Sequence, residues 1–296
     1  MNLKKLNQGL LLLAMLSGYS YASDTMNLMN EDGAVSQKVR VGEESREIVA
    51  FFRKGLGKED SVFNADYLYL WHGYDQDAYS FLNVTGFTKP KYSSYRPLFV
   101  FGVSSTDFLK SEVKSNSRLI ELYSAGYRNK LKPRKSISIG YDLGVAQAYN
   151  HACTSGINRM VLSSGGVFTT ENCEPKSTKV FYSVNTYETV FPYDKANTFT
   201  TERNYSLDVR LDGQSTVKRL RDLLGCHGPA VNKPVRKGQM MEYLCANDNS
   251  LVVLKNNSSD HQWNGYTVAL EGTFNQYGSP FAPSMYSWIE QIHGVR

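Results

Sequence analysis

Three kinds of side chain in this sequence are placed where they could do chemistry. They are a histidine beside a glycine, acids on a loop or inside an apolar run, and four cysteines. His72 stands directly after residues 66–71, a run dense in Tyr, Leu and Trp, and Gly73 follows it. An imidazole at the mouth of a buried strand can hold or move a proton, and a neighbouring glycine lets a ligand approach the backbone closely. The same pair also suits an ordinary strand end. Glu242 is an acid in the otherwise apolar stretch Gln239-Met240-Met241-Glu242-Tyr243-Leu244, and the outer face of a half-exposed strand would suit it equally. Asp75 and Asp77 offer the paired carboxylates of a hydrolase, which must face each other across about 5 to 10 Å. A serine nucleophile is disfavoured because no Gly-x-Ser-x-Gly stretch occurs.

The cysteines form two close pairs, Cys153 with Cys173 and Cys226 with Cys245. Four cysteines allow three pairings, and the two local ones are preferred. Each would close a loop of about twenty residues and contribute about 3 kcal/mol by restricting the unfolded chain. No Cys-x-x-Cys spacing supports a metal site, so no metal is expected; Cys226 beside His227 is a weaker nucleophile candidate.

An oxidising compartment fits the start of the chain. Lys4 and Lys5 precede an apolar run over residues 10–16, and Ser20 and Ala22 stand three and one positions before a cut ahead of Ser23. That is the three-part pattern of a secretory signal, with an apolar run too short to span a bilayer. The expectation is an exported chain, extracellular or periplasmic, without a transmembrane segment after cleavage. The net charge is +5, and the basic residues are scattered except over 128–135, so neither a nucleic acid nor a membrane partner is required.

Around the candidate residues the pattern implies many strands and short helices. Residues 66–71, 96–103, 136–139 and 179–184 read as strands, and 239–245 with 250–255 as a hairpin about Asn247-Asp248-Asn249. A further strand is expected over 266–274. Helices are expected over 43–56, 77–84, 117–127, 141–151 and 216–224, the last stopped by Gly225. The class expected from pattern is α+β, with mixed or antiparallel sheets.

Four short stretches in this order resemble the ADP-ribosyltransferase superfamily, in its diphtheria-toxin and poly(ADP-ribose) polymerase branch. They are His72-Gly73 with the later Gly86-Phe87; Ser136 to Asp142 with Ala146 and Tyr149; Lys179 to Val184; and Gln239 to Leu244. The resemblance covers about residues 66 to 255, with 92–135 as an insertion. It implies two packed mixed or antiparallel β-sheets with short flanking helices around an NAD cleft. NAD is then the substrate, bound by Trp71, His72, Gly73, Ser138, Tyr141 and Tyr149. Tyr149 stacks on the nicotinamide ring, with Tyr141 a second candidate, and His72 hydrogen-bonds ribose or nicotinamide. Glu242 is catalytic with His72, stabilising the cation formed as the nicotinamide–ribose bond breaks. Met240 stands where arginine-modifying members carry Gln or Glu, so the acceptor stays open.

The reading is therefore a secreted mono-ADP-ribosyltransferase toxin acting on a host macromolecule, a protein acceptor being favoured, with or without a delivery subunit. The implied organisation is a signal peptide over 1–22, a leader and helix over 23–60, a catalytic domain over 61–255, and a strand and surface tail over 256–296. Two other readings compete. One is a secreted binding module, an adhesin or sugar-binding domain using Trp263, Tyr266 and Trp288. The other is a secreted hydrolase with paired carboxylates.

Overall fold

The computed structural model describes residues 33–41, 44–52, 66–73, 76–85, 99–104, 116–121, 124, 135–167, 177–188, 190–194, 212–235, 238–257, 263 and 288. Ten strands among them form one sheet. In chain order they are β1 (Gly33–Val41), β2 (Glu44–Phe52), β3 (Asp66–Trp71), β4 (Phe99–Ser104), β5 (Lys135–Tyr141), β6 (Arg159–Ser163), β7 (Lys179–Asn185), β8 (Val231–Val235), β9 (Gly238–Leu244) and β10 (Ser250–Asn256). Three helices lie between them: α1 (Ala78–Thr85), α2 (Gly144–Ser155) and α3 (Gly213–Leu224).

The strand order is β1-β2-β4-β3-β5-β6-β7-β10-β9-β8. β4, β3, β5, β6, β7 and β10 are parallel to their neighbours, while β1, β2, β9 and β8 extend the two flanks antiparallel. The expected pair of packed mixed or antiparallel sheets is thereby corrected to a single, mostly parallel sheet. A parallel pair needs a crossover rather than a tight hairpin, and helices supply it: α1 leads from β3 to β4, and α2 from β5 to β6.

Helices on both faces leave the central strands little solvent. Tyr67, Tyr69 and Trp71 of β3 face a core shared with Val145, Ala148 and Tyr149 of α2 and Leu220 of α3. Leu68 and Leu70 face the opposite core, with Ala78, Phe81 and Leu82 of α1 and with Trp263 and Trp288. β3 therefore reads as a continuous apolar run.

Several elements fall where the sequence places them. β3, β4, β5, β7, α1, α2 and α3 all agree within a few residues, as does the β9–β10 hairpin. Residues 116–121 are helical, and the strand expected over 266–274 lies outside the described residues. Residues 44–52 are β2 rather than the start of a helix. Ile48, Val49, Ala50 and Phe51 are buried there between β1 and β4, and pairing on both edges outweighs the helix-like spacing. β1, which falls in the expected leader, and β6 and β8 are strands that the pattern does not predict.

Helix ends are set locally. Asp77 Oδ1 accepts a bond from Ser80 N at 2.7 Å at the start of α1, and Asp212 Oδ1 accepts from Ser215 N at 2.6 Å at the start of α3. Each cap is worth about 1 kcal/mol. Gly225 closes α3 with φ of 64°, the left-handed conformation that glycine adopts without strain. Next to it Cys226 is disulfide-bonded to Cys245, tying α3 to the end of β9. Cys153 is also disulfide-bonded, and Cys173 lies outside the described residues. Among the described residues no helix is long and apolar enough to cross a membrane, and the proposed signal segment lies outside them.

Candidate active site

The candidate site lies at the carboxyl ends of the parallel strands. β5 stops at Tyr141 and α2 starts at Gly144, so the chain turns from strand to helix within two residues. Asp142 occupies the apex with φ of 54°. Holding a non-glycine residue in this left-handed region costs of the order of 1–3 kcal/mol, a strain that clusters at functional sites. Backbone bonds on both sides hold it there. Asp142 N donates to Ser163 O at 3.0 Å, and Val145 N donates to Asp142 O at 3.1 Å.

Glycines make room for so sharp a turn. A Cβ on Gly140 would strike the Gly144 carbonyl, one on Gly144 would strike the carbonyls of Trp71 and His72, and one on Gly165 would strike that of Asp142. The side chain of Asp142 is thus lifted to the sheet's edge beside the loop that follows β3. A Cβ on Gly73 would lie 2.8 Å from Asp142 Oδ2 and 3.2 Å from Tyr141 Cδ1, so the bare Gly73 backbone forms one wall around the carboxylate. Leu143, the N-cap of α2, supplies no side-chain cap. The positive end of that helix is then directed toward the Asp142 turn and favours a negative charge there.

The Gly73 wall is itself fastened. His72 Nδ1 donates to the Gly73 carbonyl at 2.6 Å, which fixes the proton on Nδ1, and Gly73 N donates to Gln76 Oε1 at 3.3 Å. A second carboxylate follows β7. Glu188 is buried, and Phe191 N donates to its Oε1 at 3.0 Å while Asn185 Nδ2 donates to its Oε2 at 3.4 Å. Burial first, then the charges of Asp142 and Glu188, push the Tyr141 phenol above its ordinary pKa, so it stays protonated at neutral pH. Phe81 stacks on Tyr141 with ring centres 6.0 Å apart, and Trp263 meets both rings edge-on. The result is a nucleophile-capable carboxylate on a strained turn, a second buried acid two strands away, and an aromatic flank.

Of the residues singled out by sequence, His72, Gly73 and Tyr141 meet at this edge. Trp71 and Ser138 lie beneath it. Trp71 Nε1 donates to Ser138 Oγ at 3.1 Å, and Ser138 Oγ donates to Ala148 O at 2.9 Å, which knits β3, β5 and α2 together. Tyr149 is 1 % exposed within the core, where burial raises its phenol to about 12 against a smaller opposing effect from Arg219. Glu242 is elsewhere. It lies on β9, five strands from β3 and so roughly 24 Å away at the usual strand spacing, half-exposed and bonded through both oxygens to Lys233 Nζ at 2.8 Å. His72 and Glu242 are therefore not partners in one cleft. Asp77 caps α1, and Asp75 lies outside the described residues.

Asp142 and Glu188 did not stand out as site residues by sequence. For Asp142 a signal exists: Gly140-Tyr141-Asp142-Leu143-Gly144 has the Gly-x-Ser-x-Gly frame of a nucleophile-bearing turn, with aspartate in the serine position.

No protein-family model and no curated protein matches the sequence. Solved structures do match in shape. MGS-M1, an α/β-hydrolase enzyme from a Medee basin deep-sea metagenome library, is 10 % identical, with 89 % of this chain and 100 % of that chain covered at a TM-score of 0.52. A protein of Lactobacillus plantarum WCFS1 assigned as a carboxylesterase is 8 % identical, with 89 % and 99 % covered and the same TM-score of 0.52. This chain has the α/β-hydrolase fold. The resemblance to ADP-ribosyltransferases is overturned, and with it the toxin reading, NAD as substrate and the acceptor macromolecule.

Proposed function

We propose that this protein is a hydrolase whose working group is the carboxylate of Asp142. The observation that carries the proposal is the place of Asp142: at φ of 54° on the strand-to-helix turn, framed by Gly140 and Gly144, with Oδ2 against Gly73. The pair of acids is then Asp142 and Glu188, in place of Asp75 and Asp77.

The identity of the side chain restricts the substrate. Attack by a carboxylate on an ester carbonyl would yield an anhydride, which is less stable than the ester it came from. Attack on a saturated carbon bearing a leaving group, or on a strained cyclic ether, yields an ester that water can cleave. An oxygen of Asp142 forms the new C–O bond, and the carbon–halogen or carbon–oxygen bond breaks with its electron pair on the departing atom. Water, giving a proton to a base, then adds to the Asp142 ester carbonyl. Collapse expels the alcohol, which regains that proton. The Asp142 carboxyl then gives up the second proton of the water, to solvent alongside the halide or to the oxygen freed from the opened ether, and the carboxylate is restored. Splitting the reaction in this way divides one difficult step into two easier ones.

The second step needs a base and a group to orient it. Glu188, buried after β7, serves as the orienting acid. His261, five residues past the end of β10 in sequence, is our candidate base and lies outside the described residues. Residues 1–22 remain our proposal for an export signal, and a mature chain beginning at Ser23 would be found by N-terminal sequencing of exported protein.

The test is turnover of styrene oxide, 1-bromohexane and 4-nitrophenyl acetate by the oxidised mature protein and by Asp142→Asn. The expected result is diol or hexanol from the parent and a rate at least about a thousandfold lower in the variant. Equal turnover by both proteins, or cleavage of the acetate alone, contradicts the proposal.

A further inference from the structure

The ends of β6, β7 and β10 carry a chain of polar side chains that the proposed chemistry does not by itself require. Asn185 is fully buried at the end of β7, where its Cα pairs in register with that of Asn256 on β10. Its Oδ1 accepts a bond from Asn256 Nδ2 at 2.9 Å. Its Nδ2 donates to Glu188 Oε2 and to Ser164 Oγ, each at 3.4 Å. Ser164 has φ of 47°, its N donates to Ser183 O at 2.9 Å, and it directly follows Ser163, whose carbonyl receives Asp142 N at 3.0 Å. One amide therefore touches the buried acid, the β6 turn that supports the Asp142 apex, and the end of β10.

A buried carboxylate is costly unless hydrogen bonds hold it, and donors from fixed elements also fix where it points. Phe191 N supplies one donor from the loop after β7. Asn185 supplies one from a strand held on both edges. We infer that Asn185 is a positioning residue that aims the Glu188 carboxylate, and that its bond to Asn256 sets that carboxylate relative to the chain leaving β10. This rests on the reading of Asp142 as nucleophile and Glu188 as the acid of the second step. Its consequence is expected in that step, because Asn185 holds the acid assigned to it.

Asn185→Asp is the informative change. It keeps the shape and the acceptor for Asn256, removes the donors, and sets a like charge beside Glu188. Asn256→Ala weakens the same arrangement from the other side and keeps the test open if the first variant fails to fold. With 1-bromohexane as probe, rapid-quench mass spectrometry follows both the hexyl adduct on Asp142 and the hexanol released. The expected result is adduct formation within about threefold of the parent and adduct hydrolysis slowed by about tenfold or more, the scale of one hydrogen bond to a charged group. The adduct should then accumulate, and the acidic limb of the hydrolysis rate should move to higher pH. Both steps falling together, or neither changing in folded variants, overturns the positioning role while leaving the nucleophile in place. A parent that forms neither adduct nor product removes the underlying reading, and this inference with it.

Discussion

At Tyr149 the environment makes a measurable demand on pH. Its phenol ordinarily titrates near 10.0 and is raised to about 12, burial being the main cause. The folded state thus holds the proton more tightly than the unfolded chain. The stabilisation is complete below pH 10 and is lost as the pH rises toward 12, a difference of roughly 3 kcal/mol. Urea unfolding at pH 9 and pH 11.5 should show a steep loss in the parent and a smaller one in Tyr149→Phe. Tyr141, Tyr182 and Tyr193, also raised mainly by burial, keep part of the slope. Glu242 gives the opposite expectation. It bonds to Lys233 at a half-exposed site far from Asp142, so Glu242→Ala should change stability by less than about 1 kcal/mol and leave turnover intact. His72 and Gly73 were legible because a His-Gly pair after a buried strand implies a loop that meets a ligand. Asp142 was not, because its glycine frame carries aspartate where the familiar pattern has serine. Glu188 has no local signature; burial reached through the fold makes it notable.

Among the elements, the turn between β5 and α2 is the most exacting. Gly144→Ala would drive a methyl group into the carbonyls of Trp71 and His72, both backbone and both in the core. A cost of at least about 3 kcal/mol and loss of turnover are expected, read from the thermal midpoint and the hexanol assay. Gly156→Ala is the control. Its φ is 67° but nothing lies within 4 Å of the new carbon, so only the backbone penalty of about 1 kcal/mol applies, and activity should persist. Caps, glycine stops and period-2 runs placed most helices and strands, since each is decided within a few residues. Over residues 43–56 the apolar spacing of Ile48, Val49, Phe51 and Phe52 fits a helix as well as a strand. Only the partners β1 and β4, paired along its two edges, make the segment a strand.

For the whole molecule, direction was harder to see than content. Strands buried on both faces, such as β3 with Tyr67 and Tyr69 on one side and Leu68 and Leu70 on the other, carry no alternation that would reveal one solvent-facing side, so their sequence does not show the parallel pairing. The alternation β3-α1-β4 and β5-α2-β6 was already present in the expected elements apart from β6, and it favours a parallel sheet over two antiparallel ones. The Cys226–Cys245 bridge acts at this scale because it joins α3 to β9 near the end of the sheet. Replacing both cysteines by alanine should cost about 3 kcal/mol and lower the melting temperature by roughly 10 °C, read by calorimetry under oxidising conditions.

The central claim is that Asp142 bonds to the substrate, and oxygen transfer tests it most directly. In a single turnover of 1-bromohexane in water enriched in ¹⁸O, with enzyme in excess, the hydrolysing water attacks the Asp142 ester carbonyl. Peptide mass spectrometry should then find ¹⁸O in the carboxylate of Asp142, while the hexanol carries ordinary oxygen. Hexanol containing ¹⁸O, with Asp142 unlabelled, would mean that water attacks the substrate itself, and the nucleophile assignment would be wrong.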